Sequence, residues 1–137
     1  MKPIRAAYSR SEALQFWQSV TMSMVLADGP DFSARQMAVL TAVYLDEKPH
    51  TVRSLAKMLG VTKAVITRAL DTLSRYKMIK RCDDPRDKRS ITVGRTALGA
   101  RYLAGFADNI CAELPEPNLT RSPAAIMPVV VPISAAR

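Results

Sequence analysis

Eight consecutive residues, Asp83-Asp84-Pro85-Arg86-Asp87-Lys88-Arg89-Ser90, place three cations and three carboxylates in a stretch short enough to be one turn. A compact loop carrying Arg86, Lys88 and Arg89 is narrow enough to enter a nucleic-acid minor groove or to lie along the flanking phosphates, where cationic side chains gain most. Taken alone, the same octapeptide is an ordinary solvated hairpin tip. A second group lies upstream: Lys63, Thr67, Arg68, Asp71 and Arg75 fall outside a helical apolar stripe, and Asp71 is the sole acid among them. Other chemistry is thinly represented. The single histidine, His50, has neither a cysteine nor a paired carboxylate beside it in sequence. Cys82 and Cys111 have no disulfide or metal spacing, and no glycine-rich phosphate loop occurs. No enzymatic activity, metal or cofactor is therefore expected, and Asp83 and Asp84 read as caps of an exposed turn.

Charge concentrates where the candidate residues lie. Of the net +8, residues 53–101 carry +9 (13 Lys and Arg against 4 Asp), and the remainder carries −1 (7 against 8). Localised positive charge is the footprint of a polyanionic partner. The basic segment lacks the interleaved aromatics on which unpaired bases stack, which favours double-stranded DNA over RNA. A length of 137 residues with 48% hydrophobic residues fits one folded domain with a tail. The longest apolar run, residues 126–133, is interrupted by Pro128 and Pro132, so neither a secretion signal nor a membrane span is expected and the cytoplasm is the simplest location.

The elements that must position these residues are written in local chemistry. Ala13, Phe16, Trp17, Val20, Met24 and Ala27 recur at helical spacing over residues 9–27 and end at Asp28-Gly29-Pro30. Ser33 and Gln36 form a capping box for a second helix reaching about Leu45, with Phe32 and Met37 as its staple. Thr51 caps a third helix carrying Leu55, Ala56 and Leu59, which Gly60 ends. Thr62 caps a fourth, whose buried side is Val65, Ile66, Ala69, Leu70 and Leu73, with Val61 and Ile66 as a staple. Residues 79–82 and 90–93 are short β-prone runs around the charged turn, and a fifth helix is expected from about Thr96 to Leu114. The last 23 residues hold five of the nine prolines and read as an extended or disordered tail. The fold class is mainly α with a small β-hairpin, a winged helix-turn-helix in the order α-α-α-α-β-wing-β-α. It occupies residues 1–114, followed by the tail at 115–137.

This order, with Ser54-Leu55-Ala56, Leu59-Gly60-Val61-Thr62, Asp84-Pro85-Arg86-Asp87-Lys88-Arg89 and Thr96-Ala97-Leu98-Gly99, resembles the MarR family of bacterial winged-helix regulators over roughly residues 32–99. The resemblance implies that Arg89, the Arg of Asp-x-Arg, enters the minor groove with Asp87 orienting it. Two departures stand out. Gly94-Arg95 replaces the usual apolar residue and Leu before the Thr-x-x-Gly motif, and one long C-terminal helix replaces two.

Residue by residue, a recognition helix in the major groove presents Thr62, Lys63, Ala64, Thr67 and Arg68 to base edges, with Arg68 suited to guanine and Ala64 to a thymine methyl. Arg86, Lys88, Arg53 and Arg95 are candidate phosphate contacts that set register. Phe16, Trp17, Val20 and Met24 of the first helix, with Leu103, Phe106 and Ile110 of the fifth (about 9–27 and 96–114), are the surfaces expected to form a homodimer. The function expected is a sequence-specific DNA-binding transcriptional regulator acting as a repressor on a pseudo-palindrome, located on the bacterial nucleoid. The alternatives are a protein-interaction module working through the tail, or a general architectural DNA-binding protein.

Overall fold

The computed structural model describes residues 8–114, the Lys88 side chain excepted, with the order α1 (Arg10–Leu26), α2 (Ala34–Leu45), β1 (His50–Thr51), α3 (Val52–Leu59), α4 (Lys63–Arg75), β2 (Ile79–Asp84), β3 (Asp87–Arg95) and α5 (Ala97–Glu113). The tail expected at 115–137 lies outside the described residues. Two compact units result: residues 28–107 form one, and the described residues 8–27 and 108–114 belong to the other.

The caps read from the sequence are present. Ser33 Oγ accepts the Gln36 amide and the Gln36 side chain returns the bond to Ser33. Thr51 and Ser54 make the same reciprocal box at α3, Gly60 ends that helix at φ +64°, and the Thr62 hydroxyl accepts the Val65 amide at the start of α4. Ser9 and Glu12 add a further box at α1. Each satisfies amides that helix geometry leaves without an internal partner.

In the 28–107 unit, Val39, Leu40 and Val43 of α2, Leu55 and Ala56 of α3, and Ile66, Ala69, Leu70 and Leu73 of α4 meet Phe32, Met78, Ile79 and Val93 in one core. Tyr102 and Leu103 of α5 pack against it, and the Phe32 ring stands edge-on to Tyr76 and Tyr102, both at 5.5 Å between centroids. Burial and then the nearby Asp31 charge push the Tyr102 phenol above its ordinary range, which keeps it neutral. Leu98 at the start of α5 and Leu114 just past its end are exposed.

The sheet differs from the expected isolated hairpin. It has three antiparallel strands in the order β1-β3-β2, with His50 opposite Val93 and Thr51 opposite Thr92. The strands also run further into the charged segment than expected: β2 continues to Asp84 and β3 begins at Asp87, so the turn itself is Pro85-Arg86. Asp83 pairs with Ile91 but Asp84 pairs with Asp87, so the register breaks and Lys88, Arg89 and Ser90 bulge from β3. Such a bulge re-aims the side chains it carries.

Candidate nucleic-acid interface

The exposed side of the helix-turn-helix is where the sequence placed it. Thr62, Lys63, Ala64, Thr67 and Arg68 are all exposed, while Ile66, Ala69, Leu70 and Leu73 anchor the opposite side of α4 in the core. The Thr67 hydroxyl turns back to the Lys63 carbonyl at 2.9 Å, and the Thr72 hydroxyl to that of Arg68 at 3.3 Å. Arg68 therefore stands on a well-formed turn with its side chain outside.

Three elements meet around one open cleft of about 330 Å³. Arg53 of α3, Lys63 of α4 and Arg89 of the β3 bulge line it, together with Thr51, Ser90 and Ile91. The sequence read these cations as separate contributors, and the β1-β3 pairing is what brings the wing to the start of α3. Cations converging from three rigid elements make a concave positive surface suited to a phosphodiester backbone.

The wing tip is braced by its own carboxylates. Asp84 Oδ1 accepts the Arg86 amide and Asp87 Oδ1 accepts the Arg89 amide, both at 2.9 Å. Asp87 thus holds Arg89 through the backbone, and Arg86 and Arg89 are exposed. Lys88 lies in the same bulge.

Other residues take places the sequence did not indicate. Arg95, expected on a phosphate, points inward instead: Nε donates to the Val43 carbonyl at 2.9 Å and Nη2 to that of Asp46 at 2.8 Å, with the guanidinium 5.9 Å from the Tyr44 ring centroid. The orphan carbonyls at the end of α2 attract it. Arg81 donates to Asp71 at 2.5 Å and neutralises the one acid on the exposed side of α4. His50 is not without a carboxylate as the sequence suggested: Nε2 lies 2.6 Å from Asp46 Oδ2 and Nδ1 lies 3.0 Å from Ser54 Oγ. The spacing of four residues on either side was legible, but spacing implies contact only on a helix, and these residues cross a loop and a strand.

Among the residues expected at a dimer interface, Val20 is buried and Leu103 is packed on the core, so both are covered within the chain. Phe16, Met24, Phe106 and Ile110 are partly buried, and Trp17 is 63% exposed, as are large parts of Leu14, Val25 and Leu26. Among the described residues no cluster of three or more metal-binding side chains occurs, and no helix is long and apolar enough to cross a membrane.

Comparison with known proteins matches residues 32–91 to the MarR family. The fold is similar to that of S. aureus MepR, solved as a DNA complex (TM-score 0.60, 23% identity, 74% of this chain and 78% of that one). It is also similar to wild-type MarR of E. coli in its apo form (0.58, 24%, 73% and 71%). A transcriptional regulator of Thermotoga maritima aligns with a TM-score of 0.58 and 18% identity over 74% of this chain, which spans 66% of that protein. No curated protein matches. Residues 32–91, which hold the helix-turn-helix, most of the wing and the core that joins them, are thus similar to the MarR family, and the fold of the described residues is that of the winged-helix structures it resembles.

Proposed function

We propose that this protein is a MarR-family regulator that binds a specific double-stranded DNA site and represses transcription by occupying it. The observation that carries the reading is the cleft where Arg53, Lys63 and Arg89 converge beside the exposed turn bearing Thr67 and Arg68. The cations set register on the phosphates, α4 reads base edges in the major groove, and the wing places Arg89 in the adjacent minor groove. Occlusion of a promoter needs no surface beyond this one. The fold is similar to that of MepR, which was solved as a DNA complex, and this supports DNA as the partner. A homodimer follows from the economy of reading a pseudo-palindrome with two copies. The exposed apolar side of α1, with Trp17 and its neighbours, supplies a surface for it. Such a protein works on the bacterial nucleoid.

The test is genome-wide crosslinking and sequencing of bound DNA, followed by binding of the top site in vitro at several salt concentrations. A shared pseudo-palindromic motif is the expected result. Scattered occupancy with a steep salt slope would replace this reading with that of an architectural protein, and the absence of enriched DNA would move the function to protein partners.

A further inference from the structure

His50 is the chain's single histidine, its side chain is 11% exposed, and it joins three elements. Nε2 meets Asp46 at the C-terminal cap of α2, Nδ1 meets Ser54 in the first turn of α3, and the residue itself pairs in β1 with Val93 of the wing strand. Ser54 Oγ also accepts the Thr51 amide at 2.8 Å and lies 3.0 Å from the Thr51 carbonyl. Arg95 closes the circuit from β3 by donating to the Asp46 carbonyl. Arg53, on the phosphate cleft, directly precedes Ser54.

We propose that His50 is a positioning residue for DNA binding, holding the first turn of the helix-turn-helix against α2 and the wing strand, and that uptake of a proton at its ring tightens the hold on the duplex. The inference rests on the DNA-binding reading above. A neutral ring donates from Nε2 to Asp46 and accepts the Ser54 hydroxyl proton at Nδ1. A charged ring donates at both nitrogens, and the Ser54 hydroxyl then turns its proton to the Thr51 carbonyl. Both states keep every heavy atom in place, so a proton enters without opening the site. The charged and titratable groups around the ring are Asp46, Glu47 and Lys48 in its cleft, Arg53 on α3, Arg81 on the strand beyond Val93, and Arg95. Asp46 and Glu47 favour the added charge, and the cations and the positive end of α3 oppose it. A phosphate backbone laid on Arg53, Lys63 and Arg89 shifts that balance toward the imidazolium. By linkage, a proton taken up on binding makes affinity greater at acid pH and smaller as pH rises.

The experiment measures affinity of the full chain for its duplex from pH 5.5 to 8, for wild type and His50→Gln, whose amide keeps a donor and an acceptor but carries no charge. The expected result is wild-type binding about fivefold tighter at the acid end, and a flat profile for His50→Gln near the alkaline wild-type value. A flat wild-type profile, or the same slope in His50→Gln, overturns the proposal. A second readout needs no variant: at a fixed pH within that range, adding duplex moves the lone imidazole proton resonance toward its acid position, and a resonance unmoved at every pH of the range also overturns it. Binding with no pH dependence leaves the DNA-binding reading intact, whereas no binding at any pH overturns both.

Discussion

Asp87 holds Arg89 by the backbone: its Oδ1 accepts the Arg89 amide at 2.9 Å. The bond sits inside the bulge that separates the Asp83-Ile91 pair from the Asp84-Asp87 pair. A bulge leaves amides without ladder partners, and a carboxylate that accepts one fixes the local turn. Asp87→Ala is therefore expected to weaken duplex binding by about 1 kcal/mol through lost order in the wing. Asp87→Asn keeps the acceptor and most of the affinity. Arg89→Ala removes the contact itself and is expected to lose about 1–3 kcal/mol. Fluorescence anisotropy on one duplex ranks the three, and an Asp87→Ala affinity equal to wild type would detach the turn from function.

Arg68 and Arg53 test the proposed division between reading and positioning. Arg68 stands exposed on the outer turn of α4, and Arg53 lines the cleft at the start of α3. Replacing Arg68 by Ala is expected to cost about 1–3 kcal/mol on the preferred site and to relax preference at one base pair. Replacing Arg53 by Ala is expected to weaken all sequences alike and to lower the salt slope by about 1. Binding to a panel of single-base variants at several salt concentrations distinguishes the two, and a uniform loss for Arg68→Ala would move it to the phosphate class.

The sequence carried what is local. Ser33 with Gln36, Thr51, Gly60 and Thr62 mark helix ends within a few residues of the amides and carbonyls they satisfy, and all are found in those roles. Strand β1 was illegible because its two residues pair with Thr92 and Val93, some forty positions away, and carry no strand pattern of their own. The turn read as eight residues because the charged segment looks like a loop. Asp84 and Asp87 satisfy amides in and beside it, which lets pairing continue to Pro85-Arg86. Arg95 was misplaced for a related reason: a guanidinium in a basic segment suggests phosphate, and only the fold shows that the end of α2 lies within its reach.

The pair of Arg81 and Asp71 links β2 to α4 at 2.5 Å, with side chains 36% and 54% exposed. An exposed pair contributes roughly 0–1 kcal/mol to folding, so Asp71→Asn should leave the melting temperature nearly unchanged. Its effect on DNA binding is larger in kind, because the substitution removes a carboxylate from the positive surface and frees Arg81 for a phosphate. Affinity should rise, and the gain should shrink as salt screens it. A fall in affinity at every salt concentration would show instead that the pair sets the angle between α4 and the wing.

Tyr44 carries the junction beneath the interface. Its hydroxyl donates to the Met78 carbonyl at 2.6 Å and accepts the Thr96 amide at 2.9 Å, tying α2 to the entry of β2 and the start of α5. The Thr96 hydroxyl caps α5 by accepting the Gly99 amide at 3.0 Å, and donates to the Lys77 carbonyl at 2.7 Å. Gly99 leaves no room for a side chain, since an added Cβ would overlap both the Tyr44 hydroxyl and the Met78 carbonyl. Backbone on one side and a doubly bonded hydroxyl on the other cannot yield without breaking these bonds. Gly99→Ala is expected to cost about 2–4 kcal/mol from overpacking and lost hydrogen bonds, despite the better helix propensity of Ala. Tyr44→Phe keeps the ring but leaves the Thr96 amide unmet, at about 1–3 kcal/mol. In the double variant the Cβ finds the hydroxyl gone, so its cost should fall below the sum of the two single losses. Chemical denaturation of the four proteins measures this coupling, and strict additivity would show that Gly99 is crowded by the Met78 carbonyl alone.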